Sequence, residues 1–240
     1  MKTIKNWIWE DLETTTSTND YAKSSVAKLN QNCIVSAKQQ TKGRGRRSNT
    51  WVSQDGNLFA SFAFKINLAD LSKIVILSAV CAYKTIKHFA PNYDVKIKWP
   101  NDILVNNEKI SGILFEKADT DFWIMGIGIN IKSNPEIEKT SYKTTSFNKL
   151  KINTDRLQVL EHFVNVFDEL LEQYYTIGFD NIKLIWLENA YNLGNSIIIK
   201  QEKNTLEGTF LTIDDNGSLI LKSDTEIQKI IVGELFTKES

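Results

Sequence analysis

The sequence has few of the residues that mark secreted, metal-bound or membrane proteins. Only two of its 240 residues are cysteine and two are histidine, so neither a disulfide framework nor a zinc site is expected. The longest apolar runs, such as residues 74–77, are much shorter than a membrane span. The first fifteen residues turn acidic where a signal peptide would stay apolar. We therefore expect a cytoplasmic protein that does not bind a membrane.

The chain also lacks an excess of either charge. Its 29 basic residues balance its 29 acidic residues, which argues against the broad electrostatic contact that nucleic acids require. Only four of the basic residues are arginine, and Arg44, Arg46 and Arg47 lie within four positions. Because arginine offers a rigid fork of donors that lysine lacks, this cluster is the first candidate for a functional site.

Hydrophobic periodicity predicts a larger α+β unit followed by a small all-β unit. Helical spacing, with Thr154 as the cap of the third helix, is found over residues 18–29, 71–89, 155–175 and 180–191. From Asn195 onward, short alternating runs separated by turns predict a five-stranded barrel. The predicted domains are residues 1–191 and 192–240.

Two glycine-containing segments are candidate ligand sites. In Gly43–Arg47 the glycines allow tight turns and the arginines supply forked donors for phosphate oxygens, although a solvated basic loop would have the same composition. Trp51, close behind, is either a stacking face for a purine or a core residue. Gly126–Gly128 lacks the third glycine of a dinucleotide fingerprint, so it either admits a ligand close to a strand or forms a bulge.

A third candidate site is a hairpin. Asn106 and Asn107 can form its tight turn because asparagine tolerates positive φ. The hairpin can bring Asp102 and Lys109 to one end of a sheet, where Asp102 could hold Mg²⁺ or accept a proton and Lys109 could stabilise charge at a transferring phosphorus. A surface ion pair would use the same two residues.

Taken in order, five motifs resemble those of the biotin–protein ligases, also called biotin–[acetyl-CoA-carboxylase] ligases. The resemblance spans nearly the whole chain and depends on the order and spacing of the motifs. They are Thr16–Asn19, Gln40–Arg47 with Trp51, Lys98–Asp102, Lys109–Leu114 and Gly126–Asn130. The resemblance implies an α+β fold, with a central mixed β-sheet flanked by helices as in class II synthetases and a small C-terminal SH3-like β-barrel.

The resemblance also implies a two-step reaction that uses ATP, Mg²⁺ and biotin. The biotin carboxylate attacks the α-phosphorus of MgATP to give biotinyl-5′-AMP and pyrophosphate. A lysine of a biotin carboxyl carrier protein domain, part of a biotin-dependent carboxylase, then takes the biotinyl group and AMP leaves. Because the first motif begins near residue 17, we expect the short type without DNA binding. An exposed strand edge near the hairpin could support a homodimer.

Residue roles follow from the resemblance position by position. The expected catalytic residues are Lys109, which would neutralise charge between carboxylate and α-phosphate, Arg46, and Asp102, which would serve Mg²⁺ or the incoming lysine. The expected biotin-binding residues are Ser17, Thr18, Asn19, Gln40, Gly43, Arg44, Gly45 and Gly112. The expected ATP- or adenylate-binding residues are Arg44, Arg46, Trp51, Asn101, Lys109 and Asn130.

The arginine loop, residues 42–57, departs from the family pattern. Ser48 and Asn49 stand where a glycine and an arginine are usual. The loop also crowds four positive charges into six positions and has no apolar period. Such a segment repels itself and buries little surface, so we expect it to be ordered by its ligand.

Two other functions fit parts of the sequence. A lipoate–protein ligase is a related adenylating enzyme, but its glycine-rich loop differs in kind and would not need the run from Gln40 to Trp51. A non-catalytic biotin-sensing module would not need Lys109, which is present. The ordered set of motifs favours the biotin ligase over both.

Overall fold

A computed structural model describes residues 2–135, 143–201, 204–231 and 233–237. The larger sheet contains β1 (Lys2–Ile4), β2 (Trp7–Thr15), β3 (Cys33–Gln40), β4 (Leu58–Lys65), β5 (Val95–Lys98), β6 (Asp102–Val105), β7 (Glu108–Lys117) and β8 (Phe122–Ile129). The smaller sheet contains β9 (Ser196–Lys200), β10 (Thr205–Ile213), β11 (Leu219–Lys222), β12 (Ile227–Ile230) and β13 (Glu234–Thr237). The α-helices are α1 (Thr18–Leu29), α2 (Leu71–Phe89), α3 (Arg156–Thr176) and α4 (Asp180–Glu188).

The larger sheet is mixed, as predicted. Its strand order is β1-β2-β3-β4-β8-β7-β6-β5. Strands β2 and β3 pair in parallel and are joined by α1, whereas the other neighbours pair antiparallel. The smaller sheet is antiparallel in the order β12-β11-β10-β9-β13. Its five strands confirm the predicted all-β unit, while closure into a barrel by pairing of β12 with β13 stays a prediction.

The two faces of the larger sheet carry different residues because side chains alternate along a strand. On the α3 face, Phe62 and Phe64 of β4 pack against Phe163 and Phe167, with ring centroids 5.3 Å apart in the pairs Phe62–Phe163 and Phe64–Phe167. On the α1 face, the small buried side chains of α1 pack on β3, β4 and β8. The α3 face is thus a closed aromatic core, and only part of the α1 face is covered by a helix.

The ends of two helices differ from the sequence prediction. Asp155, not Thr154, caps α3: its carboxylate accepts hydrogen bonds from the backbone N–H groups of Leu157 and Gln158 at 2.8 and 3.0 Å. The Thr154 hydroxyl instead donates to the Gln158 side chain. Carboxylates are among the best helix caps, and here Gln158 completes a capping box. Helix α4 ends at Glu188, three residues before the predicted end.

The smaller sheet packs against the larger unit near the ends of β5 and α2. The Trp99 indole N–H donates to the carbonyl of Gly217 at 3.3 Å. A Cβ at Gly217 would lie 2.6 Å from the Ile76 side chain, so only glycine fits this approach to α2. In the described parts of the chain, no helix combines the length and the apolar character that crossing a bilayer requires.

Candidate functional site

A pocket opens on the α1 face where two strands carry glycine. Gly112 of β7 pairs directly with Gly128 of β8, and two residues further along the same strands Leu114 pairs with Gly126. Bare backbone therefore forms the floor of a cavity with an empty volume of about 930 Å³, its open mouth included. Side chains of the protein itself, Asn19 over Gly126 and Trp51 over Gly128, lie against these glycines, and the pairing with β7 shows no bulge there. Entry of a ligand close to the strand stays a prediction.

Trp51 of the arginine loop lies on this floor. A Cβ at Gly128 would lie 2.5 Å from Cζ2 of the indole, and one at Gly112 would lie 3.0 Å from Cζ3. The Lys109 ammonium is 5.5 Å from the ring centroid, within cation–π range. The buried indole N–H has no hydrogen-bond partner among the described residues. Trp51 is therefore a wall of the pocket and not a residue of the main core.

A β-bulge directs Lys109 into the pocket. Along β6 and β7, Ser111 faces Ile103 but Lys109 faces Leu104, which leaves Ile110 as an extra residue in β7. Residues three apart on a regular strand point to opposite faces, but the extra residue turns Lys109 to the side of Gly112. The Lys109 Nζ then lies 2.8 Å from Asp102, and both side chains are mostly buried. The predicted pairing of these two residues is present.

Polar side chains at the start of α1 form the opposite end of the pocket. Ser17 is the N-cap residue of α1 but makes no side-chain cap hydrogen bond. Instead the backbone N–H of Thr18 donates to the Gln40 side-chain carbonyl at 2.9 Å. The Ser61 hydroxyl of β4 contacts Thr18 and Asn19 at 2.8 and 2.6 Å. This end is a preorganised set of donors and acceptors suited to a small polar head group.

Arg44 anchors the arginine loop to α1 and β7. Its guanidinium makes a bidentate pair with Asp20, two bonds of 2.7 Å, and also donates to Glu116 at 3.1–3.3 Å. The bonds from Arg44 hold the pKa of the Asp20 carboxyl below its ordinary value. Burial raises the pKa of Glu116, but bonds from Arg44, Asn19 and other donors outweigh it and leave that pKa lowered. The two carboxylates offset the repulsion that the loop sequence predicts.

Arg46 and Arg47 join the loop to the C-terminal sheet. Arg46 donates to the Asn101 side-chain carbonyl at 3.1 Å and to the backbone carbonyl of Gly233 at 3.3 Å. Arg47 donates to the backbone carbonyl of Lys200 at 2.9 Å. Burial lowers the pKa of the Arg46 guanidinium below that of free arginine, although arginine stays charged at every physiological pH.

The structure brings most of the predicted site residues to one pocket. Twelve of the fourteen line it: Ser17, Thr18, Asn19, Gln40, Arg44, Gly45, Arg46, Trp51, Asn101, Asp102, Lys109 and Gly112. Gly43 and Asn130 do not. Gly43 packs against the Trp51 carbonyl, and the Asn130 side chain donates to the carbonyl of Thr145 at 3.0 Å.

Sequence reasoning missed several residues of the site. Lys98 and Glu234 line the pocket, Ser61 orients Asn19, and Glu116 holds Arg44. A serine within an apolar strand and the lysine of the Lys98–Asp102 motif were the available signals. Glu234 reaches this pocket through the tertiary packing of the C-terminal sheet, which a local motif does not show.

The described residues contain no group of three or more His, Cys, Asp or Glu side chains that could hold a metal ion. The carboxylates that line the pocket are Asp102 and Glu234. Magnesium commonly binds through one or two carboxylates together with substrate phosphates and water.

Comparisons with known proteins agree with this geometry. Residues 12–130 match the biotin/lipoate A/B protein ligase family, and residues 193–237 match the biotin protein ligase C terminal domain. The biotin protein ligase of Aquifex aeolicus, solved in complex with biotin and ATP, superposes with a TM-score of 0.81 at 26% identity, over 95% of this chain and 97% of that one.

Curated relatives give the same assignment. The bifunctional ligase/repressor BirA of Bacillus subtilis is 35% identical over 212 residues, which are 84% of this chain and 65% of the relative. The chain thus spans about two thirds of that protein's length. The biotin–[acetyl-CoA-carboxylase] ligase of Paracoccus denitrificans is 30% identical over 236 residues, which are 94% of this chain and 98% of the relative. On these matches and its fold, the chain belongs to the biotin/lipoate A/B protein ligase family.

Proposed function

We propose that this protein is a biotin–protein ligase that forms biotinyl-5′-AMP from biotin and ATP and then transfers biotin to a lysine of a carrier protein. The observation that supports it best is the Lys109–Asp102 pair beside the Gly112–Gly128 floor, enclosed by the arginine loop. Transfer of the adenylyl group from ATP to a carboxylate needs a fixed cation near the α-phosphate, because negative charge develops there as the new bond forms, and the Lys109 ammonium would supply that cation.

The two ends of the pocket suit the two ends of the acid. At the α1 end, the side chains of Ser17, Thr18 and Gln40 would hydrogen-bond the ureido ring of biotin. At the other end, Lys109 would neutralise charge between the biotin carboxylate and the α-phosphate as the new bond forms. Asp102, 2.8 Å from the Lys109 ammonium, would hold it in this orientation.

The arginine loop would contact the adenylate, and its residues would have different roles. Arg44 is occupied by Asp20 and Glu116, so we assign it an anchoring role and leave ligand contacts to the loop backbone. Arg46 would bind phosphate, and the Trp51 ring would cover the adenylate.

Mg²⁺ would enter as MgATP, with Asp102 as its protein ligand. Asn101 accepts a hydrogen bond from Arg46 and would orient that guanidinium. Asn130 would also bind the adenylate.

The remaining predictions belong to the same proposal. The partner in the second step is the biotin carboxyl carrier protein domain of a biotin-dependent carboxylase, and neither DNA nor a membrane takes part. The free, buried thiols of Cys33 and Cys81 fit a reducing cytoplasm. We further propose domains 1–191 and 192–240, and a homodimer formed through a strand edge of the larger sheet.

The decisive experiment is a labelling assay with the purified full chain. With MgATP, biotin and a carrier domain, streptavidin blotting should show modification that disappears when the acceptor lysine of the carrier is replaced by arginine. Biotin-dependent exchange of labelled pyrophosphate into ATP should occur without the carrier. Exchange with lipoate in place of biotin would favour the lipoate ligase, and ligand binding without exchange would favour a sensing module.

A further inference from the structure

Glu116 of β7 contacts both the arginine loop and the first turn of α1. Its carboxylate accepts hydrogen bonds from Arg44 at 3.1–3.3 Å and from the Asn19 side-chain amide at 3.0 Å, and the Lys23 ammonium lies 3.1 Å from it. Burial raises the pKa of this carboxyl, but the three donors outweigh burial and leave the pKa lowered. An ionised carboxylate accepts hydrogen bonds and cannot donate them, so Asn19 must turn its NH2 group toward Glu116.

The orientation of the Asn19 amide decides how the Ser61 hydroxyl is oriented. With the NH2 group on Glu116, the side-chain carbonyl of Asn19 faces the Ser61 hydroxyl oxygen at 2.6 Å. Two oxygens at this distance need a proton between them, and because a carbonyl carries none, Ser61 must donate. Both side chains belong to residues that are almost completely buried. A mismatched orientation would therefore leave a buried polar group without a partner, which is costly.

The Thr18 hydroxyl is fixed in turn by Ser61. The two hydroxyl oxygens are 2.8 Å apart, and the Thr18 oxygen is also 3.1 Å from the Gln40 side-chain carbonyl. A hydroxyl has a single proton, and that of Ser61 is already used on Asn19. The proton of Thr18 therefore goes to Ser61 or to Gln40, and in either case it stays within this hydrogen-bond network. Toward the pocket, which Thr18 lines, the hydroxyl presents lone pairs and no proton.

We propose that Glu116 is a positioning residue that acts through Asn19 and Ser61 to make the Thr18 hydroxyl an acceptor for an N–H group of the ligand. This role rests on the proposed function, in which the ureido ring of biotin lies against Thr18 and offers N–H groups. A ring without N–H groups, such as a dithiolane, would bring no donor to that acceptor. Glu116 itself lies outside the pocket lining, so it acts on the ligand only through the network.

Removal of the carboxylate should reverse the order of donors in the network. Lys23 and Arg44 would remain, and their positive charges would attract the carbonyl oxygen of Asn19. The NH2 group of Asn19 would then face Ser61, and the Ser61 proton would turn to the Thr18 oxygen. One of the two lone pairs of Thr18 would be occupied by the protein and lost to the ligand, while the shape of the pocket would stay the same.

The test compares Glu116→Leu with the wild-type full chain by titration calorimetry. The ligands are biotin and its two oxazolidinone analogues, each with one ureido N–H replaced by oxygen. A site built to accept an N–H bond rejects an analogue that lacks it, so wild type should bind biotin more tightly than at least one analogue. In Glu116→Leu the ratio of that analogue's Kd to the Kd of biotin should fall about 2- to 12-fold, the effect of one hydrogen bond between neutral groups.

The matched control is Asp20→Asn. Asp20 accepts the other two bonds of Arg44 and lies outside the pocket lining. Its replacement loosens the arginine loop but leaves the contact between Asn19 and Glu116 in place. It should therefore change the affinities for biotin and for the analogue by the same factor and leave their ratio unchanged. The same fall of the ratio in Asp20→Asn would show that loop anchoring, and not the order of donors, sets the preference.

A double-variant cycle tests the route through Ser61. Ser61→Ala interrupts the network between Asn19 and Thr18, so adding Glu116→Leu to it should not change the ratio further. If Glu116→Leu does not fold, Glu116→Gln keeps the shape and one acceptor oxygen, for which Arg44, Lys23 and Asn19 compete, and it should lower the ratio by less. An unchanged ratio in the folded Glu116 variants would overturn the inference alone. If wild type binds no biotin, the proposed function itself fails.

Discussion

The two faces of β4 and β8 show how one sheet serves stability and binding separately. On the α3 face, several inward residues of β4 and β8 are large, and three of them, Phe62, Phe64 and Met125, are fully or almost fully buried. On the α1 face the corresponding positions of β8 run from Phe122 and Ile124 to Gly126 and Gly128. The pocket begins where the residues on the α1 face change from large apolar ones to glycine.

The site therefore lies where side chains are missing from the α1 face of the sheet, and it does not extend into the core on the α3 face. Large side chains exclude ligands from the α3 face and contribute most of the hydrophobic stabilisation. On the α1 face, glycine backbone and a Ser61–Thr18–Asn19 network leave space and satisfied polar groups. Changes on the α3 face should therefore alter stability, and changes on the α1 face should alter binding and catalysis.

The largest effect is expected from the centre of the α3 face. Phe167 contacts the rings of Trp7, Phe62, Phe64 and Phe163. Phe167→Ala should lower the free energy of unfolding by about 3–5 kcal/mol, because it removes a buried ring and leaves a cavity. Urea unfolding measures this, and biotin affinity of the folded fraction should be unchanged. A loss of affinity without a loss of stability would break the separation of the two faces.

Lys109→Gln tests the α1 face without touching the core. Adenylate formation should slow by about 10²–10³-fold, the cost of losing one group that stabilises charge in a transition state, roughly 3–4 kcal/mol. Transfer from preformed biotinyl-5′-AMP should slow much less, because the charge at phosphorus develops in the first step. Single-turnover assays of each half-reaction separate the two. Equal slowing of both would indicate that Lys109 has only a structural role.

Gly128→Ala fills the pocket floor with one methyl group. The new Cβ would overlap the Trp51 indole, so the ring must shift, and overpacking of this kind costs about 1–3 kcal/mol. We expect biotin affinity, measured by titration calorimetry, to fall roughly 5- to 160-fold, the same energy expressed as binding. The matched control is Met125→Leu, on the same strand but the α3 face, which should leave affinity unchanged. Unaltered affinity in Gly128→Ala would contradict the proposed floor.

The smallest effect is expected from the carboxylate that anchors the arginine loop. The Arg44 side chain is 36% exposed, so Glu116→Gln should cost only about 0.2–1 kcal/mol of stability. Because the folded-state pKa of Glu116 lies below its ordinary value of 4.5, this contribution is present above that pH and is lost as the pH falls through the folded value.

Unfolding measured between pH 3 and pH 7 checks this sign. The difference in the free energy of unfolding between wild type and Glu116→Gln should be largest at neutral pH and should decrease below about pH 4.5. The control for a general charge effect is Glu108→Gln. Glu108 lies on the same strand as Glu116 but outside the pocket lining, and it pairs with Lys149. A difference that grows on acidification would reverse the proposed role of the carboxylate.

Local sequence determined the secondary structure and most of the candidate site. The 3.6-residue period placed α2 over 71–89, where the structure has it, and positive φ at Asn106 and Asn107 formed the predicted hairpin turn. Both depend on interactions between residues a few positions apart, which the sequence specifies directly. The ordered motifs then named twelve residues that line one pocket.

Tertiary structure alone decided how those residues work. The bulge at Ile110, which points Lys109 toward Gly112, depends on the register between β6 and β7, and the pairing of Gly112 with Gly128 depends on that between β7 and β8. A register is set by packing of whole strands and not by any one motif. The approach of Phe236 to Lys98 depends on residues more than a hundred positions apart, so only the folded chain brings that ring to the lysine.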